Sequence, residues 1–274
     1  MTRMGERDHG RYLPRMCKVE APADLVDSHG RSIVPELVSW RGQCWRQKPR
    51  DGWREILAYC LGGSWLNVAA AIGSAQAAGA ARQDGTPFDP SADPASSLVR
   101  LIQDYRLDEF VESDLDKAIA GELVFSLWVR RRDAHPWNRA YVTGVPGFFD
   151  HHIAFGAEDH NRSLDGFFRD GGDAGYVSRW RARAISEGEV PTTGGERRLE
   201  PTEFAIHRVR SLDALDAHME AAANRIARFG QIELVALALR SGAPEPDSVA
   251  QFLAMTRDEL PKAVQRLRRI LYIS

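Results

Sequence analysis

The amino-acid pattern predicts an α+β protein with a small β-rich N-terminal part, a polar hinge and a larger helical C-terminal part. Three observations lead there. Short extended runs separated by turn residues crowd the first third of the chain. The stretch ARQDGTPFDPSADPASS, residues 81–97, is rich in Pro, Asp, Gly and Ser and has no periodicity. Beyond it, apolar residues recur at helical spacing almost to the last residue.

The elements follow in order. Residues 12–20 form a candidate strand, and Asp27-Ser28-His29-Gly30 a turn. Residues 33–38 and 39–48 predict two further strands, joined as a hairpin by a turn at Arg41-Gly42-Gln43. Pro49 stops the ladder after Cys44-Trp45-Arg46-Gln47-Lys48. A helix should start from Asp51 as N-cap, with Ile56, Leu57, Tyr59, Cys60 and Leu61 as its apolar band and Gly62-Gly63 as its end. Residues 65–80 are small, apolar and expected to be buried. The resulting division is 1–80, an N-terminal unit; 81–97, a hinge or linker; and 98–274, a helical unit.

In the helical unit, Ser113 or Asp114 can cap a helix that carries Leu115, Ile119, Leu123, Val124, Leu127 and Trp128 on one broad face. It runs into Arg130-Arg131-Arg132-Asp133. A short hairpin follows: Ala140 to Val142, a turn through Gly144 to Gly147, then Phe148-Phe149. From about Thr202 onward three helices are expected, with breaks near Gly230 and Gly242-Ala243-Pro244.

Composition excludes several classes. With 274 residues, 43% apolar and 27% charged, the chain can bury a sizeable core without staples. A net charge of −2 advertises neither nucleic acid nor an anionic membrane. The Arg-rich stretches, matched by nearby acids, are expected on solvated helix faces. Cys17, Cys44 and Cys60 form no C-x-x-C pair, and an odd, scattered count fits a reducing compartment. The first residues lack the apolar core of a signal peptide, and no run approaches a membrane span of about 20 apolar residues. A soluble, cytoplasmic protein is the expectation.

Residues 130–156 carry the chemistry. Asp133 is followed by Ala-His-Pro-Trp and then Asn138, the D-x-x-x-x-N spacing of a kinase catalytic loop. Phosphoryl transfer needs one carboxylate at the nucleophile, hard oxygen ligands for Mg²⁺, and a Lys at the nucleotide phosphates. Asp133 would face the nucleophile, while Asn138 would turn back to the metal. A hairpin of this length returns the chain beside its start, bringing Asp150 to the same Mg²⁺. Phe148, Phe149, Ile153 and Phe155 would wall the site and exclude water.

The segment Asp133-Ala134-His135-Pro136-Trp137-Asn138, followed by Phe149-Asp150-His151-His152-Ile153-Ala154-Phe155-Gly156, resembles the HipA-like kinases and, more distantly, the phosphatidylinositol kinases. Residues 30–38 and the hairpin ending in Trp45-Arg46-Gln47-Lys48 look like the opening of the small HipA-like kinases. The resemblance spans roughly residues 12–160. It implies a two-lobed protein-kinase-like fold and an ATP- and Mg²⁺-dependent phosphotransferase acting on a Ser or Thr hydroxyl of a protein. By the same resemblance Asp133 is the catalytic acid, Asn138 and Asp150 are metal ligands, Lys48 binds ATP, and Glu55 is the ion-pair partner of Lys48.

Each residue also has a plainer reading: Asp133 as a helix-end acid paired with Arg131 or Arg132, Asn138 as a turn residue, Asp150 as a cap, Lys48 as a strand-end lysine and Glu55 as a solvated helix acid. Two other functions fit the letters. Ala134 and His152 depart from the family pattern and leave open a pseudokinase or nucleotide-binding regulatory module. His135, His151, His152, Asp159 and His160 lie close enough in sequence for a Zn²⁺- or Mn²⁺-dependent hydrolase, although no H-E-x-x-H spacing is present.

Overall fold

The computed structural model describes residues 37–48, 51–63, 65–66, 68–82, 85–100, 112–131, 139–142, 145–148, 151, 154–156 and 212–272. Within them the chain is mixed α+β: a five-stranded antiparallel sheet, a two-stranded hairpin and five α-helices.

Strands β1 (Leu37–Trp40) and β2 (Gln43–Lys48) form the expected hairpin, in register from Leu37↔Arg46 to Trp40↔Gln43. Arg41 and Gly42 occupy the two-residue turn with φ of 51° and 69°. Two positive φ values match the turn's twist to that of the strands, which is why a Gly belongs there. Strands β3 (Ala71–Gly73), β4 (Ala81–Arg82) and β5 (Ser97–Arg100) complete the sheet in the order β3-β5-β2-β1-β4. The strand that ends in Lys48 is therefore central.

The two ends of the 81–97 stretch belong to this sheet. Ala81 and Arg82 pair with Ser39 and Val38, Ala81 bridges to Pro87, and Phe88 is buried beside Val38, Trp45 and Leu98. Ser96 Oγ donates to the Asp93 carbonyl at 2.6 Å and lies 2.6 Å from Ser74 Oγ, while Gln47 Nε2 donates to it at 3.0 Å. The composition of this stretch reports tight turns, which linkers and folded loops share.

Helix α1 (Gly52–Gly62) starts and ends where its capping residues predict, but Asp51 makes no side-chain cap bond. Its backbone is left-handed, φ 41°, a region that Asp tolerates better than most residues. The first turn is sewn to the sheet through Gly52 N–H and the Ala95 carbonyl, 3.1 Å apart. A Cβ on Gly52 would lie 2.4 Å from the main-chain nitrogen of Ser97 and 2.7 Å from the carbonyl carbon of Ser96. Backbone cannot swing aside as a side chain does. Gly52→Ala is therefore expected to cost about 3 kcal/mol, at the upper end of overpacking effects, measured as a lower urea midpoint at constant slope. Leu57, Ala58 and Leu61 are buried on α1, whereas Tyr59, expected in the apolar band, is 38% exposed.

Helix α2 (Glu112–Val129) begins ahead of Ser113, so neither expected cap residue precedes the helix. Residues 120–131 are all buried, because α2 packs against α3 (Leu212–Ile226) and α5 (Pro246–Tyr272). Trp128 is fully buried and donates its indole N–H to the Leu253 carbonyl at 2.9 Å. Helix α4 (Gln231–Ser241) ends at Gly242, whose left-handed residue, φ 80°, gives its N–H to the Ala238 and Leu239 carbonyls. Helix α4 also packs on α1, so α1 lies between sheet and helices. The two C-terminal breaks fall as expected.

Arg130 and Arg131, at the end of α2, are not on a solvated face. Arg130 is fully buried with left-handed backbone, φ 49°, and its guanidinium sits 5.3 Å from the centroid of the Phe252 ring. Arg131 is 3% exposed and gives Nη1–H to Glu122 Oε1 at 2.9 Å. Cys60 is a free thiol that burial pushes up in pKa. No helix among the described residues is long and apolar enough to cross a membrane.

Candidate functional site

The hairpin expected after Asn138 is present as β6 (Arg139–Val142) and β7 (Val145–Phe148). Its register runs from Arg139↔Phe148 to Val142↔Val145. The expected turn through Gly147 is corrected: Pro146 and Gly147 lie inside β7, opposite Tyr141 and Ala140. A two-stranded sheet has only edge strands, and there a Pro can face its missing donor outward. The ladder brings the chain that leaves Asn138 back beside its start. Asn138 precedes the pair Arg139↔Phe148 by one residue, and Asp150 follows it by two.

Both ends of this excursion are anchored. At its start, Arg131 N–H donates to the Ser126 carbonyl at 2.9 Å, and its side chain holds Glu122. At its end, His151 is fully buried and bound to Glu55 of α1. The main-chain N–H of His151 donates to Glu55 Oε1 at 2.7 Å, and its ring Nδ1 lies 3.1 Å from Oε2. Where Glu55 is ionised its carboxylate only accepts, and Nδ1 then carries the hydrogen of this pair. The chain then turns, with Ala154 N–H on the His151 carbonyl at 2.8 Å. Phe155 N–H reaches the Val129 carbonyl at the end of α2, 3.0 Å away. Phe155 is left-handed, φ 57°, and 1% exposed, with its ring 5.9 Å from that of Trp53 on α1. The ring of Phe125 on α2 meets His151 edge-on at 6.1 Å. His151 and Phe155 are thus held between α1 and α2.

Lys48 is the last residue of β2, half-buried and paired in register with Ser97. Glu55 is 3% exposed, so its reading as a solvated helix acid is corrected. A carboxylate taken out of water must find donors, and His151 supplies two. Asp133, Asn138 and Asp150 lie outside the described residues, as do Phe149 and Ile153. Of the histidines and the acid weighed for a transition-metal site, only His151 is described, and its Nδ1 faces Glu55. Among the described residues no three His, Cys, Asp or Glu side chains cluster as a metal site. Sequence reasoning weighed His151 as a transition-metal ligand and did not pair it with Glu55, 96 positions earlier.

No protein-family model, curated protein or solved structure matches the chain.

Proposed function

We propose that the chain is an ATP- and Mg²⁺-dependent phosphotransferase of two-lobed, protein-kinase-like fold, transferring phosphate to a hydroxyl, with a Ser or Thr of a protein as acceptor. The observation that carries the reading is the Glu55–His151 contact. It ties the helix that follows the Lys48 strand to the residue directly after Asp150. A kinase needs its phosphate-binding Lys, the acid on the next helix and the metal-binding acid after the catalytic loop in one neighbourhood.

The order of elements supports the same reading: a central strand ending in Lys48, helix α1 with Glu55, three more strands, then α2, the Asp133–Asn138 segment, the β6–β7 hairpin and Asp150. The donor set fits Mg²⁺ by its chemistry, since a carboxylate at Asp150 and a carboxamide oxygen at Asn138 are the hard ligands the ion takes. When bound, the ion neutralises charge on the transferring phosphoryl group. Lys48 would neutralise the nucleotide phosphates, and Asp133 would orient the acceptor hydroxyl and take its proton.

The test is a pair of variants. Asp150→Ala should abolish Mg²⁺-dependent nucleotide binding, read by calorimetry; unchanged affinity removes Asp150 from the metal site. Asp133→Ala should bind ATP as the native protein does and lose phosphate transfer by about 10³-fold or more, read with labelled ATP. Nucleotide binding by the native protein without any transfer would instead assign it as a binding module.

A further inference from the structure

We propose that the outer face of α4 is a self-association surface, on which a second copy of this chain seats the same helix antiparallel. The proposal is independent of the function proposed above. Among the described residues three large apolar side chains are exposed, and two of them, Ile232 at 86% and Leu239 at 60%, stand on α4 seven residues apart. Half-buried Val235 and exposed Ala236 lie between them. Positions i, i+3, i+4 and i+7 of a helix fall within an arc of about 100°. The four residues therefore make one apolar stripe two turns long. A single exposed apolar residue is ordinary, whereas a stripe at helical spacing marks a contact surface. The helix is already anchored by its other face. Leu234, Ala238 and Ser241 are buried there, and α4 packs on α1 and α5. Taking Ile232 and Leu239 out of water is left to a contact from outside.

The charges beside the stripe identify its occupant. Glu233 and Arg240 are both exposed, and both lie on one flank, about 100° from the middle of the stripe. The other flank carries the uncharged Gln231. The acid stands near the start of the helix and the base near its end. Two copies side by side in parallel would set Glu233 beside Glu233 and Arg240 beside Arg240. Two antiparallel copies set each Glu233 beside Arg240 of the other. A twofold axis between Val235 and Ala236 brings Ile232 of each copy against Leu239 of the other. It leaves Glu233 and Arg240 of opposite copies about 3 Å out of step along the helix, within the reach of an arginine side chain. Such an axis keeps the charged flank on the same side of both helices, so both ion pairs form together, and the surface is its own complement, as a twofold interface requires. The opposed helix dipoles act in the same sense. Two helix turns from each copy bury less than the roughly 1,200–2,000 Å² of stable specific complexes, so the dimer is weak and reversible.

The experiment is sedimentation velocity at low salt on the full-length protein, over about 1–500 µM, where association of this strength is read as a concentration-dependent shift from monomer to dimer. Ile232→Glu and Leu239→Glu should each raise the dissociation constant by about tenfold or more, with the melting temperature of the dilute protein unchanged because both side chains already face water. Glu233→Arg and Arg240→Glu each turn two attractions into two repulsions and should each weaken the dimer by about tenfold. The double variant Glu233→Arg/Arg240→Glu should recover the native dissociation constant, and an equimolar mixture of the two single variants should associate as the native protein does. Native protein that stays monomeric over the whole range overturns the proposal. So does a dimer that survives Ile232→Glu, which would form through another surface. A dimer that is lost with Ile232→Glu but is equally strong in the native protein and both single charge variants overturns the antiparallel seating.

Discussion

Trp128→Ala is expected to lower the unfolding free energy by about 3–5 kcal/mol, the largest effect of any single truncation in the helical part. The indole is fully buried and touches the rings of Phe125, at 6.0 Å, and Phe229, at 5.2 Å. Removing it leaves a cavity at the junction of α2 with α5, because the groups around it lie on α2, on α5 and between α3 and α4 and cannot all collapse inward. It also removes the bond from the indole N–H to the Leu253 carbonyl. Trp128→Phe separates the two contributions. Most of the area is retained and that carbonyl loses one donor, so a loss of about 1–2 kcal/mol is expected. The Leu253 carbonyl also accepts from Thr256 Oγ1 at 3.2 Å, which softens the second effect. Urea unfolding of the two variants at equal slope checks both figures. A Trp128→Ala loss under 1 kcal/mol would mean that α2 is not enclosed as described.

Glu55→Ala is the second large effect, about 3 kcal/mol of stability, independent of any catalytic role. The substitution withdraws the acceptor from a buried main-chain N–H and from a buried imidazole at the same moment. Both groups are buried, so the loss of this acceptor is felt by each. Glu55→Gln keeps the side-chain shape and one oxygen acceptor. It should cost clearly less, about 1 kcal/mol, because the N–H of His151 can stay bonded while the ring loses its charged partner. A Glu55→Ala protein as stable as the native one would break the link between α1 and residue 151 on which the functional reading stands. Should Ala and Gln prove equally damaging, charge rather than hydrogen-bond capacity would be what the site needs from Glu55.

Much of the architecture was legible along the chain, and the reasons are local. The β1–β2 hairpin follows from Arg41-Gly42 with extended residues on both sides. The bounds of α1 follow from Asp51 and the Gly62-Gly63 pair, and the C-terminal breaks from Gly230 and Gly242. Each of these signals acts within a few residues, where the physics of φ, capping and turn geometry is self-contained. The hairpin after Asn138 was likewise legible, though its turn was misplaced by the assumption that Pro146 and Gly147 must bend the chain.

What failed were readings in which burial had to be guessed. Phe88 stands in a stretch of linker-like composition and is nevertheless buried beside Trp45, some forty residues away. Arg130 and Arg131 look like solvent-facing charges. They are enclosed because α2 is surrounded, and Glu122, the Phe252 ring and neighbouring groups compensate them. Glu55 looked like a surface acid for the same reason.

The letters alone determined which residue types stand at which spacing: Asp133 five residues before Asn138, then a hairpin, then Asp150 with His151 after it, and Lys48 seven residues before Glu55. Only the tertiary structure decided that Glu55 turns inward and meets His151, 96 positions further along. That pairing is a long-range choice, set by how α1 is wedged between the sheet and the helices. Nothing within a few residues of either group encodes it.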